Sequence, residues 1–145
     1  MKTAAQLLYE FFPLVRTPEK VVALFAEDGV LELPYLADLG MQWQYKGREE
    51  IAGLFKGLLE LVPEWEFRDI QVRIDTPDKV FAEYKVDAWA VTTQRPFKQH
   101  FFGYMQAQNG QIKLLREALN IVATARAFLP NGLAEIAPVA QGEAR

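Results

Sequence analysis

The chain contains no cysteine and a single histidine, His100. Without thiols there is no disulfide, thiolate nucleophile or thiolate metal site, and one imidazole cannot build a histidine-rich metal centre. No uninterrupted apolar run approaches the roughly 18 residues that a bilayer-crossing helix needs, so no membrane span is expected. Basic charge is scarce as well: 16 Lys and Arg against 19 Asp and Glu leave a net charge of −3, with both signs interspersed. A nucleic-acid backbone is bound through clustered cations that release its counterions, so nucleic acid is not an expected partner. The signatures GxGxxG, GxxxxGK(S/T), GxSxG and HExxH are all missing, which removes the commonest nucleotide-binding, serine-hydrolase and zinc-protease readings. No cofactor and no metal are expected.

What is present has the balance of an ordinary globular protein: 50% apolar and 24% charged residues in a chain of 145. That length buries one core, and no linker or repeat divides it, so residues 1–145 are read as a single domain. The start, Met1 to Val15, has a short apolar stretch interrupted by Glu10 and Pro13, with no small-residue cleavage site after it. It reads as a helix and not as an export signal, and a cytoplasmic protein is expected.

Leu7, Leu8, Phe11, Phe12 and Val15 recur on one helical face between Thr3 and Val15. Thr17-Pro18 reads as an N-cap with proline in the first turn, opening a second helix that Asp28-Gly29 would close as a C-cap. Val30 to Leu33 and Gln42 to Tyr45 resemble short strands flanking an apolar loop. A third helix runs from Arg48 to about Leu61 on the apolar repeat Ile51, Leu54, Phe55, Leu58, Leu59 and Val62, and Pro63 stops it. Everything after Glu64 alternates as strand. Ile70, Val72 and Ile74 lead to a turn at Asp75 to Asp78; Lys79 to Thr93 and Phe97 to Gln108 follow; and Asn109-Gly110 is a hairpin signal before Gln111 to Thr124.

The order predicts an α+β protein: a strongly curved mixed sheet packed against three helices from the N-terminal half. Bulky groups on both faces of the long strands require both to be covered, one by helices and ligand, the other by a second copy in a homodimer. A flexible tail is expected from about residue 135.

Polar residues embedded in apolar strand sequence are the candidates for chemistry, because a buried polar group costs free energy unless it is paired or used. Glu117 leads. By alternation its neighbours are Leu115 and Leu119, and desolvation there raises a carboxyl pKa toward the range of general acids and bases. A solvent-facing Glu117, or one paired with Arg116, fits the pattern about as well. Arg116 and Asn120 fall on the opposite face of a regular strand. Arg116 reads as an ion-pair partner and Asn120 as a bond to backbone or ligand. His100 shares a face with Phe102 and Tyr104, where a lone histidine is more often structural than catalytic. Glu83 and Asp87 read as a charged, solvated face. Trp43, Tyr45, Trp65, Trp89 and Tyr104 are aromatic residues able to line a pocket, although such residues more often fill a core.

Three segments, Leu24 to Gly29, Tyr45 to Ile51, and Asn109 to Ile112 before Arg116-Glu117-Ala118-Leu119-Asn120, resemble SnoaL-like proteins of the nuclear-transport-factor-2-like superfamily, which share the ketosteroid isomerase-like fold. Pro63-Glu64-Trp65-Glu66-Phe67, His100-Phe101 and Arg116-Glu117 with Asn120 are nearest to the phenazine-biosynthesis A/B family. The resemblance implies a cone-shaped α+β barrel, a dimer through the sheet, and a ligand cavity in which the glutamate matching Glu117 acts as acid or base. It also marks departures: Leu54 and Leu58 stand where that family has a histidine and a serine. Against ketosteroid isomerase, Leu33 and Phe102 stand near the base and the oxyanion-hole acid. Against limonene epoxide hydrolase, no Asp-Arg-Asp set accompanies Glu117.

Two functions therefore stay open. One is a cofactor-free isomerase, cyclase or condensing-type enzyme acting on a small apolar or aromatic metabolite, with Glu117 as general acid/base and Tyr104 or His100 as its hydrogen-bonding partner. The other is a non-catalytic carrier of a hydrophobic metabolite. In either, Trp43, Leu54, Leu58 and Asn120 join His100 and Tyr104 as expected ligand contacts.

Overall fold

The computed structural model describes residues 1–136. The tail expected from about 135 lies, past Ile136, outside the described residues. Six strands form one open mixed sheet in the order β2-β1-β6-β5-β4-β3, and the chain reaches it through α1 (Ala4–Leu14) and the single turn α2 (Pro18–Val21). The strands are β1 (Phe25–Glu32), β2 (Gln44–Lys46), β3 (Phe67–Thr76), β4 (Lys79–Ala90), β5 (Arg95–Gln108) and β6 (Gln111–Leu119). Only the β1–β6 pairing is parallel. The sheet does not close, so the expected barrel is corrected: β2 and β3 remain edges and have no pairing with each other.

α1 and α3 (Gly47–Leu61) cover the inner sheet face. Thr3 and Gln6 close a capping box at the start of α1, and Leu7, Leu8, Phe11 and Phe12 are buried from it. Phe11 meets Phe25 and Phe55 edge-on, tying α1 to β1 and α3. Pro13 stays inside α1 because it falls in the last turn, where little helix remains to be broken.

Two elements differ from the sequence expectation. The second helix does not run to Gly29: it ends after one α turn and a short 3-10 turn, and Phe25 begins β1. Gly29 is no C-cap. A Cβ there would lie 2.8 Å from the Ile112 carbonyl oxygen, so glycine permits the close, irregular approach of β1 to β6. The last strand likewise stops at Leu119, and a fourth helix, α4 (Ile121–Phe128), replaces the strand expected to Thr124. Asn120 is its N-cap, its Oδ1 accepting from the backbone N–H of Val122 at 3.0 Å and of Ala123 at 3.2 Å.

The Asn109-Gly110 turn forms as expected, both residues having positive φ. From the turn, Gln108 pairs with Gln111 and Ala107 with Ile112; an irregularity then shifts the register by one, so that Gln106 pairs with Leu114 and Gly103 with Glu117. A regular hairpin would have placed Glu117 opposite Phe102. The one-residue shift moves it to the other face of the sheet relative to β5.

Candidate functional site: a buried carboxyl in an apolar cavity

A cavity of about 510 Å³ lies between the inner sheet face, α3, α4 and the 3-10 segment Pro34–Leu39. Its wall is mostly apolar: Leu31 and Leu33 from the β1 side, Leu54 and Leu58 from α3, and Phe97 and Phe101 from β5. α4 closes it with Thr124 and Phe128. Leu54 and Leu58 are there by helical periodicity, one turn apart on the face of α3 that meets the sheet.

Glu117 is the wall's buried carboxyl, 5% exposed. Its Oε2 accepts a hydrogen bond from the Tyr84 hydroxyl. Burial in this apolar surround pushes the carboxyl pKa from 4.5 up to about 7, while the Tyr84 bond acts in the opposite direction. Burial and the adjacent carboxyl together hold the Tyr84 phenol well above its ordinary range, so Tyr84 is the donor. Tyr84 stands on the inner face of β4, stacked on Phe101 at 5.6 Å and edge-on to Phe67 at 5.2 Å. It reaches Glu117 by crossing β5 at Gly103, where a Cβ would sit 2.1 Å from its hydroxyl oxygen. Tyr84 and Gly103 escape sequence reasoning: alternation puts the tyrosine on one face of β4 with Val80, Ala82 and Val86, but nothing in β4 alone says which carboxyl it meets.

The other sequence candidates fall elsewhere. His100 and Tyr104 lie on the outer sheet face, away from Glu117. His100 Nε2 is 2.9 Å from Glu83 and its ring stacks on Phe102 at 4.9 Å, whereas the Tyr104 hydroxyl accepts from Gln106 at 2.7 Å. The register shift in the β5–β6 hairpin is the reason neither meets Glu117. Phe102 faces outward with them, so Phe101 is the cavity residue at that level. Trp43 sits in the loop before β2, partly exposed and off the cavity wall, its carbonyl accepting from the Leu33 N–H at 2.7 Å. Asn120 is spent on the α4 cap. Arg116 pairs with Glu32 at 2.8 Å on the outer face, and Gln44 donates to the same carboxylate at 2.7 Å. Burial alone would raise the Glu32 pKa, but these bonds outweigh it and hold the group ionised below its usual value.

Gln99 is a further buried polar group that the sequence pattern did not single out. It donates to the Asn120 carbonyl at 3.0 Å and the Thr124 hydroxyl at 3.1 Å, and accepts from the Asn120 N–H at 2.7 Å. These bonds fold α4 back over the cavity mouth. No group of three or more His, Cys, Asp or Glu able to hold a metal occurs among the described residues, and no helix among them is long and apolar enough to cross a membrane.

A helix-backed open mixed sheet with a cavity on its inner face defines the nuclear-transport-factor-2-like, ketosteroid isomerase-like class of α+β proteins. Within it, the chain belongs to the SnoaL-like domain family, whose model matches residues 14–115. No curated protein matches the chain. Among solved structures, a Bacillus subtilis protein provisionally named an isomerase is similar with a TM-score of 0.77 at 22% identity, over 88% of this chain and 93% of that one. A phenazine biosynthesis-related protein from Pseudomonas aeruginosa gives 0.72 at 22% identity, over 86% and 83%. A Catenulispora acidiphila protein with the ketosteroid isomerase-like fold, solved in complex with trimethylamine, gives 0.74 at 14% identity, over 94% and 100%. At such identities the likeness establishes the fold.

Proposed function

We propose that the cavity is a small-molecule site in which Glu117 transfers a proton as general acid/base, making the protein a cofactor-independent isomerase, cyclase or condensing-type enzyme for an apolar or aromatic metabolite. The observation that carries this is a buried cavity-wall carboxyl with one oxygen held by Tyr84 and a pKa brought to about 7. A group titrating near neutrality exchanges its proton in both directions with little driving-force penalty, as a general acid/base requires. Names of structural relatives, an isomerase and a phenazine biosynthesis-related protein, are in keeping with proton-transfer chemistry.

Proton transfer at carbon leaves a record in deuterated water. Candidate metabolites incubated with the protein are expected to gain deuterium or rearrange, and Glu117→Gln to slow this by about 10²- to 10⁴-fold. Undiminished turnover in the Gln variant sinks the assignment.

The cavity wall also favours the carrier reading. Leu33, Leu54 and Leu58 line it, at positions where the resemblance to the phenazine-biosynthesis and ketosteroid isomerase families implies polar groups, leaving a mainly greasy container. A ligand that binds with no exchange or conversion, in both the native protein and the Gln variant, decides for the carrier.

A further inference from the structure

The charged residues of the cavity wall are one-sided. Among the described residues its two carboxylic acids are Glu117 and Glu50, and no lysine, arginine or histidine lines it. Seven of the lining residues are aromatic, Trp65, Phe67, Phe97, Phe101 and Phe128 among them. An anionic ligand would meet the buried Glu117 carboxyl, with the exposed Glu50 carboxylate at the rim and no compensating cation, an unfavourable arrangement in a low-dielectric site. A cation meets both an opposite charge and the electron-rich faces of aromatic rings.

Glu117 has the geometry to receive one. Tyr84 donates to Oε2, and Oε1 has no hydrogen-bond partner among the described residues. The Tyr84 bond also supports the carboxylate form at the moment a cation arrives, offsetting part of the cost of burying an ion pair. Glu50 is more peripheral: its Oε2 accepts from the Lys46 N–H at 2.5 Å at the start of α3, and it adds negative potential to the same wall.

We propose that the cavity takes its ligand as a cation, an apolar amine whose ammonium docks on the free oxygen of Glu117 with its hydrocarbon part among the aromatic rings. This rests on the small-molecule reading of the cavity and narrows its ligand class. The titratable groups around the Glu117 carboxyl are Tyr84 from β4 and, elsewhere on the wall, Tyr45 from β2 and Glu50 from α3. All are neutral or negative, so among the described residues nothing competes with the amine as the positive charge.

Three probes with one carbon skeleton, cyclohexylmethylamine, cyclohexylmethanol and cyclohexanecarboxylate, test this by calorimetric titration of the whole chain at mildly alkaline pH. The amine is expected to bind at least about tenfold more tightly than the alcohol, in line with an ion pair reinforced by ring faces, and the carboxylate not to bind. Glu117→Gln is expected to erase the amine's advantage while leaving alcohol binding in place, which also reports that the variant is folded. Without any variant, repeating the amine titration at mildly acidic pH in buffers of different ionisation enthalpy should reveal release of close to one proton, passed from the Glu117 carboxyl to buffer. The alcohol should release none. An amine that binds no better than the alcohol, or a carboxylate that binds as well, overturns the cationic-ligand inference and leaves the small-molecule reading standing. Failure of all three probes to bind overturns both.

Discussion

Glu117 stores stability that depends on pH in a direction opposite to most carboxylates. Its pKa rises from 4.5 to about 7 on folding, so between those values the folded state holds a proton that the unfolded state has released. Stability is therefore highest below pH 4.5 as far as this group is concerned, falls as pH rises toward 7, and is flat above. The whole change amounts to roughly 3 kcal/mol. Denaturant unfolding across that window should show the decline, and Glu117→Gln should remove it and leave the variant more stable than the native chain under alkaline conditions. At the same scale, Tyr84→Phe deletes the one bond that lowers the Glu117 pKa, so titration of the carboxyl followed by NMR should move further upward. Gly103→Ala should do the same indirectly, because its Cβ would stand 2.1 Å from the Tyr84 hydroxyl and push the ring aside. The overpacking should cost about 1–3 kcal/mol. A Gly103→Ala protein with native stability and an unmoved Glu117 titration would refute the role assigned to the glycine.

Among the elements, α4 decides how the cavity is closed. The first half of α4, Ile121 to Thr124, reads as the end of a strand by its apolar residues, and the signal against this is Asn120, whose side chain caps the two N–H groups that a strand would have paired. Asn120→Ala is expected to cost about 1 kcal/mol in denaturant unfolding, since the Gln99 bonds use only the Asn120 backbone and survive. A cost near zero would mean that Gln99 and the packing of Ala123, Ala125 and Ala127 hold α4 without its cap. Where the local signal is unambiguous the elements match: the 3.6-residue apolar repeat of α3 and the Asn109-Gly110 turn are both formed where the pattern puts them. β1 is the contrary case. Phe25 to Gly29 carries helix-ending signals, yet the segment is drawn into the sheet by parallel pairing with β6, a partner more than 80 residues away in sequence.

For the molecule as a whole, the outer sheet face remains to be accounted for. Phe81 and Phe102 stack there at 6.3 Å, Phe102 stacks in turn on His100, and Phe102 and Trp89 are 42% and 46% exposed. Ion pairs of Glu83 with Arg73 and Glu32 with Arg116 flank this strip. An apolar centre with a charged rim is the anatomy of a protein interface, and we expect two copies to associate through it. Sedimentation at micromolar concentration should give a dimer, and Phe102→Glu should shift it toward monomer with the far-ultraviolet spectrum unchanged. A native chain that sediments as a monomer would leave the exposed rings without a partner.

Legible in the amino-acid order were the α+β class and the helices α1 and α3, because periodicity and composition act over a few neighbouring residues, the family, through the resemblance of its motifs, and the place of Glu117 in an apolar strand. Which side chains surround Glu117 was not. A one-residue register shift between Gln106 and Ala107 separates Glu117 from His100 and Tyr104 and brings it beside Gly103, across which Tyr84 arrives from β4. Side chains alternate with a period of two, so a single slip in pairing exchanges one face of a strand for the other. That slip is a property of how β5 and β6 meet and twist together, visible only once the sheet is assembled, and it turns a lone carboxyl in a strand into a Tyr–Glu pair at a cavity wall.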